Sequence, residues 1–224
     1  LVPSITALIY REKAGIAFVI TILACLAIGV PLVSRKPSKK AFYAREGLVT
    51  TALSWIVLSI VGAVPFVLSG AISNPIDAFF EIVSGFTTTG STILVDIEAL
   101  PMGISFWRSF THWIGGMGVL VFVMMITSLD DENAMPLMRA EVPGPEADKL
   151  VPKARHTARL LYGMYFVLTA AEVVFLLFGG MNLYDALLHA FSTAGTGGFS
   201  NRAASVSFYD SAYIDGVITV FMIL

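Results

Sequence analysis

The sequence predicts an all-α integral membrane protein built from tandem span–pore loop–span repeats. Three observations carry that prediction. The chain has 224 residues, 56% hydrophobic and 13% charged, with a mean hydropathy of +0.80, far from an ordinary soluble domain. It contains several apolar runs long enough to cross a bilayer. And one unusual stretch, Asn74–Thr92 (NPIDAFFEIVSGFTTTGST), recurs as Asn182–Ser200 (NLYDALLHAFSTAGTGGFS). Asp77 and Asp185 lie 108 residues apart (185 − 77), and at that offset the two stretches align without a gap. Asn74/Asn182, Asp77/Asp185, Ala78/Ala186, Ser84/Ser192, Thr88/Thr196 and Gly90/Gly198 are identical. An internal repeat of this kind outranks any single motif.

Net charge is −2 and says nothing about partners. Cys25 is the only cysteine, so no intrachain disulfide can form. No signal peptide with a cleavage site opens the chain. LVPSITALIYREK reads as the end of something earlier.

In chain order, Ala14–Val33 is a charge-free run long enough to span. Arg35, Lys36, Lys39, Lys40 and Arg45 follow, closing a first segment of residues 1–46. Gly47–Leu68 is the second span, with Pro65 near its far end, where a kink is tolerable. The first repeated stretch then begins as a helix. Asn74 suits the N-cap, Pro75 the first helical position, and Asp77 the acid of a capping box. Pro75 to Gly85 makes roughly 16 Å of helix, about half of a hydrocarbon core, before a Thr/Gly run takes over. That reads as a re-entrant pore loop: helix in, extended backbone out. Ser105–Ser128 is the third span and completes a repeat over 47–128. Residues 129–159 form a proline-rich basic linker with Arg139, Lys149, Lys153, Arg155 and Arg159. Leu160–Phe178 is the fourth span, the second pore loop follows, and Gly216–Leu224 opens a fifth, so 160–224 is a second repeat. The missing first methionine and this short last run, about 13 Å as helix, lead us to expect part of a longer protein.

Lysine and arginine concentrate in the loops 34–46 and 129–159 and are nearly absent around the pore loops. The basic loops are therefore expected in the cytoplasm, with the pore loops entering from outside.

A dehydrated cation needs a ring of oxygens in place of its water, and extended backbone can supply carbonyls. Thr88-Thr89-Gly90-Ser91 and Thr196-Gly197-Gly198-Phe199 are the candidate stretches. The half-helices before them point their negative C-terminal ends at the ion. Non-helical backbone at membrane depth is tolerated only where it is buried in protein or lines a cavity. An ordinary interfacial turn rich in small residues is the alternative for one such loop; repetition in register with both caps favours a pore. Because Ser91 and Phe199 differ while the glycines agree, the oxygens are expected to matter more than the side chains.

SGFTTTGST, FWRSFTHWIGGMGVLVF, RAEVPGP and FSTAGTGGFS together resemble the Trk/Ktr/HKT potassium transporters, closest to the TrkH-type pore-forming subunits. The resemblance covers essentially the whole chain. It implies four potassium-channel-like repeats around one potassium path, with extra N-terminal helices, a homodimer in the bacterial inner membrane, and a cytosolic nucleotide-binding regulator of TrkA type. It maps the filter onto Thr88–Ser91 and Thr196–Phe199, with K⁺ as the transported ion, no other cofactor and no nucleic acid. It also implies that glycine at positions 90 and 198 goes with potassium preference. Only two of the four pore loops are present here, and the gating loop and basic residue expected in a third repeat are absent.

Other residues invite roles. Asp77 and Asp185 read as caps, with cation attraction at the mouth as the alternative. Glu81 and His189 occupy aligned positions, suited to packing or hydrogen bonding behind the filter. Arg108 has Glu81, Asp96 and Glu98 as possible partners, or simple interface anchoring. His112 beside Trp113 lacks a second ligand at helical spacing, so no transition-metal site is expected. Gly115, Gly116 and Gly118 fit close helix packing. Glu172, ionisable within a span, carries functional weight or forms a structural salt bridge. Asp130, Asp131 and Glu132 read as a solvated helix end, and Arg139–Pro145 as a linker turn or a regulator contact. The competing functions are Na⁺/K⁺ co-transport, a membrane-embedded enzyme and a structural helix bundle. An enzyme would need a polar constellation at membrane depth, and the three histidines are scattered.

Overall fold

The computed structural model describes residues 2–34, 44–118 and 154–223. These form eight α-helices and one 3₁₀ turn: α1 (Val2–Ile9), α2 (Ala14–Ser34), α3 (Ala44–Leu68), α4 (Pro75–Phe86), α5 (Met102–Met117), α6 (Ala154–Phe178), α7 (Leu183–Ala194), the turn Ser205–Tyr209, and α8 (Ala212–Ile223). Ala14–Ser34, Val49–Leu68 and Arg159–Phe178 are long and apolar enough to cross a membrane. They expose large apolar side chains all along their length, among them Leu23, Val57 and Phe166, as lipid-facing helices do.

Several helices begin before the apolar runs. α3 starts at Ala44 rather than Gly47, and α6 at Ala154 rather than Leu160. The alanines and arginines there are good helix formers and extend each helix into its basic flank. α5 starts at Met102 and α8 at Ala212, where Asp215 sits in the first turn and complements the helix dipole. α1 is a further difference: LVPSITALIYREK reads as the end of something earlier, and Val2–Ile9 within it is helical. It packs against the start of α5, where a side chain on Gly103 would meet Ala7 Cβ at 2.8 Å. Most of the basic loops 34–46 and 129–159, including Asp130, Asp131, Glu132, Arg139–Pro145, Lys149 and Lys153, lies outside the described residues, as does the third span beyond 118.

Two apolar cores form. Phe18, Phe66, Ile82, Phe86 and Ile104 build one around α4. Val173, Leu176, Met181, Ala186, Ala190 and Ile214 build the other around α7. α5 packs against both short helices. Its Gly115 lies under the Phe86 carbonyl, where a Cβ would come within 2.2 Å of the oxygen, and Gly116 lies against Tyr165 and Gly195. These glycines serve packing. Trp107 Nε1 donates to Gly62 O at 3.0 Å and Trp113 Nε1 to Thr169 Oγ1 at 3.1 Å, which fixes α5 between α3 and α6.

Candidate functional site

α4 and α7 are each 12 residues, and their bounds coincide under the 108-residue offset. Asn74 Oδ1 accepts from Ile76 N at 3.0 Å. Asn182 Oδ1 accepts from Asp185 N at 2.9 Å. Both asparagines thus satisfy a free N–H of the first turn. The reciprocal capping-box bond is made in neither helix. Asp77 has no hydrogen-bond partner among the described residues. Asp185 turns its carboxylate to side chains instead, accepting from Asn182 Nδ2, Asn201 Nδ2, Arg202 Nη2 and Tyr209 Oη at 2.9, 2.6, 3.1 and 2.8 Å. Burial pushes the Asp185 carboxyl up, but the donors from Tyr209, Asn201, Arg202 and Asn182 outweigh it and hold it below the usual value. Only 2% exposed, Asp185 is committed to the protein, whereas Asp77 is half-buried.

At their C-terminal ends the two helices stop in the same way. Thr88 N donates to Gly85 O and Thr89 N to Ser84 O; Thr196 N donates to Thr193 O and Gly197 N to Ser192 O, all between 2.8 and 3.1 Å. This is a Schellman ending, in which the left-handed position normally falls to glycine. Here it falls to threonine, with Thr88 at φ +54° and Thr196 at φ +53°. A β-branched residue in that region is strained by about 1–2 kcal/mol, and the strain is stored twice in register. Gly90 and Gly198 follow at φ +75° and +82°.

Beyond the helix ends both segments run without regular structure. Ser84 Oγ reaches forward to donate to Ser91 O at 2.6 Å, and Ser192 Oγ donates to Phe199 O at 2.5 Å. The fourth carbonyl of each stretch is therefore tied back to its own helix. The carbonyls of Thr88, Thr89 and Gly90, and of Thr196, Gly197 and Gly198, accept no hydrogen bond among the described residues. All six residues are exposed or half-buried, so each loop presents three consecutive open acceptors. The two loops meet directly, since a Cβ on Gly90 would lie 1.8 Å from Gly197 O.

Behind the loops lies a buried polar network. Arg108 Nε donates to Glu81 Oε1 at 2.5 Å. Glu81 also accepts from Thr92 Oγ1 and Ile93 N, and Arg108 Nη1 donates to Ser200 O at 3.0 Å. Of the partners open to Arg108, the structure selects Glu81. The Phe199 ring is held between the Arg108 guanidinium, 3.5 Å from its centroid, and the His112 ring, stacked at 4.0 Å. His112 Nδ1 lies 3.3 Å from Ser192 Oγ. The Phe199 side chain, 2% exposed, is thus structural in a way that Ser91, which is exposed, is not. His189 meets the Tyr209 ring edge-on. Glu172 is buried with Oε1 lacking a partner among the described residues. Among the described residues no three His, Cys, Asp or Glu side chains gather to hold a metal.

Sequence reasoning gave no role to Ser84 and Ser192, although both were among the six matched positions. It also missed Glu12, whose carboxylate accepts from Met102 N and Gly103 N at 2.7 and 2.9 Å. Only the fold brings Glu12 to α5, so no local signal could have revealed it.

Comparison with known proteins finds relatives over nearly the whole chain. The family model "TrkH: Cation transport protein" matches residues 14–224. The Trk system potassium uptake protein TrkH of Escherichia coli (strain K12) is 42% identical over 227 residues, covering 100% of this chain and 47% of that protein. Trk system potassium uptake protein TrkG of the same strain is 35% identical, covering 99% of this chain and 46% of that protein. The crystal structure of the potassium transporter TrkH from Vibrio parahaemolyticus superimposes with a TM-score of 0.82 at 35% identity, covering 98% of this chain and 44% of that one. The chain spans about half the length of the curated relatives it matches. With a family model matched over nearly its whole length, this integral membrane chain belongs to the TrkH family of cation transport proteins.

Proposed function

We propose that this chain forms two span–pore loop–span repeats of a potassium uptake protein, and that its two loops supply backbone oxygens to the ion path. The carrying observation is the pair of loop ends with matching left-handed residues and three unpaired carbonyls each, meeting at Gly90 and Gly197. Oxygens of this kind replace the hydration shell of K⁺. The helix C-termini behind them add negative potential. Thr88, Thr89 and Gly90 supply the first set and Thr196, Gly197 and Gly198 the second. Ser91 and Phe199 close each stretch, their carbonyls tethered by serine. The relatives are named for potassium uptake, which favours K⁺ as substrate over a sodium-coupled alternative.

The same reading holds that a complete path needs four such repeats, that the working unit is a homodimer in the bacterial inner membrane, and that a TrkA-type regulator binds from the cytosol against the 129–159 linker. Residues 1–46 then form an N-terminal helix and basic loop ahead of the repeats at 47–128 and 160–224. The test is Rb⁺ uptake by potassium-uptake-deficient cells expressing these two repeats within a complete four-repeat transporter, with Na⁺ as competitor. Uptake that rises over the control and resists excess Na⁺ is expected. No uptake above control, from protein present in the membrane, would refute the function.

A further inference from the structure

Arg108 joins the two loops from behind. Through Glu81, at 2.5 Å, it is linked to the exit strand of the first loop, where Thr92 Oγ1 and Ile93 N donate to the same carboxylate. Directly, it donates to Ser200 O, the carbonyl that follows the second loop, at 3.0 Å, and its guanidinium covers the Phe199 ring at 3.5 Å. Arg108 and Glu81 are 2% and 0% exposed. Two buried charges at membrane depth are tolerated when paired and fully hydrogen-bonded, and here their bonds end on loop backbone rather than on other helices. The position equivalent to Glu81 in the second half is His189, which faces Tyr209 instead. The second half has no acid at that position: the segment leaving its loop is held by Asp185, which accepts from Asn201 Nδ2 and Arg202 Nη2, and by Arg108 through Ser200 O. His112, one turn after Arg108 on α5, closes the other face of Phe199.

We propose that Arg108 is a positioning residue that locks the two loops in register, so that it sets the spacing of their carbonyls and thereby the discrimination between ions. This rests on the reading that the loops line the ion path. The loops already touch at Gly90 and Gly197, leaving their relative placement sensitive at the ångström scale. Selectivity between K⁺ and Na⁺ depends on the size or field of the carbonyl ring. A planar guanidinium satisfies Glu81, Ser200 O and the Phe199 face at once, whereas an ammonium keeps the charge but cannot span all three. Arg108→Lys therefore separates positioning from charge compensation.

The experiment measures Rb⁺ uptake with Na⁺ as competitor, normalised to protein in the membrane, for wild type, Arg108→Lys, Phe199→Leu and the double variant. Arg108→Lys should lower the Na⁺ concentration that halves Rb⁺ uptake by about fivefold, the factor one ordinary hydrogen bond supplies. Phe199→Leu, which leaves the ion pair intact, should shift it in the same direction. The double variant should shift less than the product of the two, because both act through one contact. Wild-type discrimination in Arg108→Lys, with selective wild-type uptake, would overturn the positioning role and leave the proposed function standing. Multiplicative effects would also overturn it, as would failure of both single variants to reach the membrane, which marks Arg108 as a folding residue. Loss of selective uptake in the wild type itself would overturn both.

Discussion

Gly90 and Gly198 share a left-handed φ but not a neighbourhood. A side chain on Gly90 collides with the Gly197 carbonyl at 1.8 Å, while nothing lies within 4 Å of the corresponding point on Gly198. The family resemblance suggests that serine at either position acts in the same direction; the geometry predicts unequal severity. Gly198→Ser carries chiefly the cost of the backbone conformation, about 1–2 kcal/mol, and should leave a transporting protein with weakened K⁺ preference. Gly90→Ser must also push the two loops apart, and should abolish discrimination or the selective flux itself. Equal competition curves for both variants would contradict this contrast. The positions of the loops were legible at this scale. The Thr/Gly runs and their alignment identified the loops, because strained or extended backbone selects particular residues. The ties were not legible. Ser84 binds a carbonyl seven residues ahead, a distance no helical period indicates. Arg108 had three acids within plausible reach, and only the path of the chain after Thr92 decides among them.

Among the elements, α4 and α7 were the most readable, since Asn and Pro or Asp at their starts and the Thr/Gly runs at their ends punctuate both. α1 was the least. It is eight residues long, too short to hold helical structure alone, and it depends on packing against α5. The turn after it repays the contact, because Glu12 caps the start of α5, where Pro101 offers no side-chain bond. Two charge-assisted hydrogen bonds at a helix N-terminus are stabilising on both counts. Glu12→Gln, keeping one acceptor and losing the charge, should destabilise by about 1 kcal/mol and Glu12→Ala by about 2 kcal/mol. The thermal midpoint of the detergent-purified protein should fall in that order. An unchanged midpoint in Glu12→Ala would mean that α5 starts without this cap.

For the molecule as a whole, the apolar flanks of α2, α3 and α6 face outward while the buried Glu81–Arg108 pair lies behind the loops. That division follows from placing the helices in lipid around a polar centre. The basic segments 34–46 and 129–159 are expected to face the cytoplasm and so to set the orientation. With Cys25 replaced by serine, a cysteine at Asp96 should react with an impermeant thiol reagent from outside the cell, and one at Lys149 should not; the reverse pattern would invert the topology. Composition made membrane residence legible and the 108-residue offset made the duplication legible. The way α5 lies between the two halves and carries the residues that join them is a property of long-range contact that neither hydropathy nor local spacing encodes. The central claim is that the unpaired carbonyls of Thr88–Gly90 and Thr196–Gly198 hold the transported ion. Anomalous diffraction from crystals of the protein grown in Tl⁺, a scattering surrogate for K⁺, tests it most directly. The account predicts a peak within coordination distance of those carbonyls, lost when Na⁺ replaces Tl⁺. Well-ordered loops with no peak between them, or a peak only elsewhere in the protein, would contradict it.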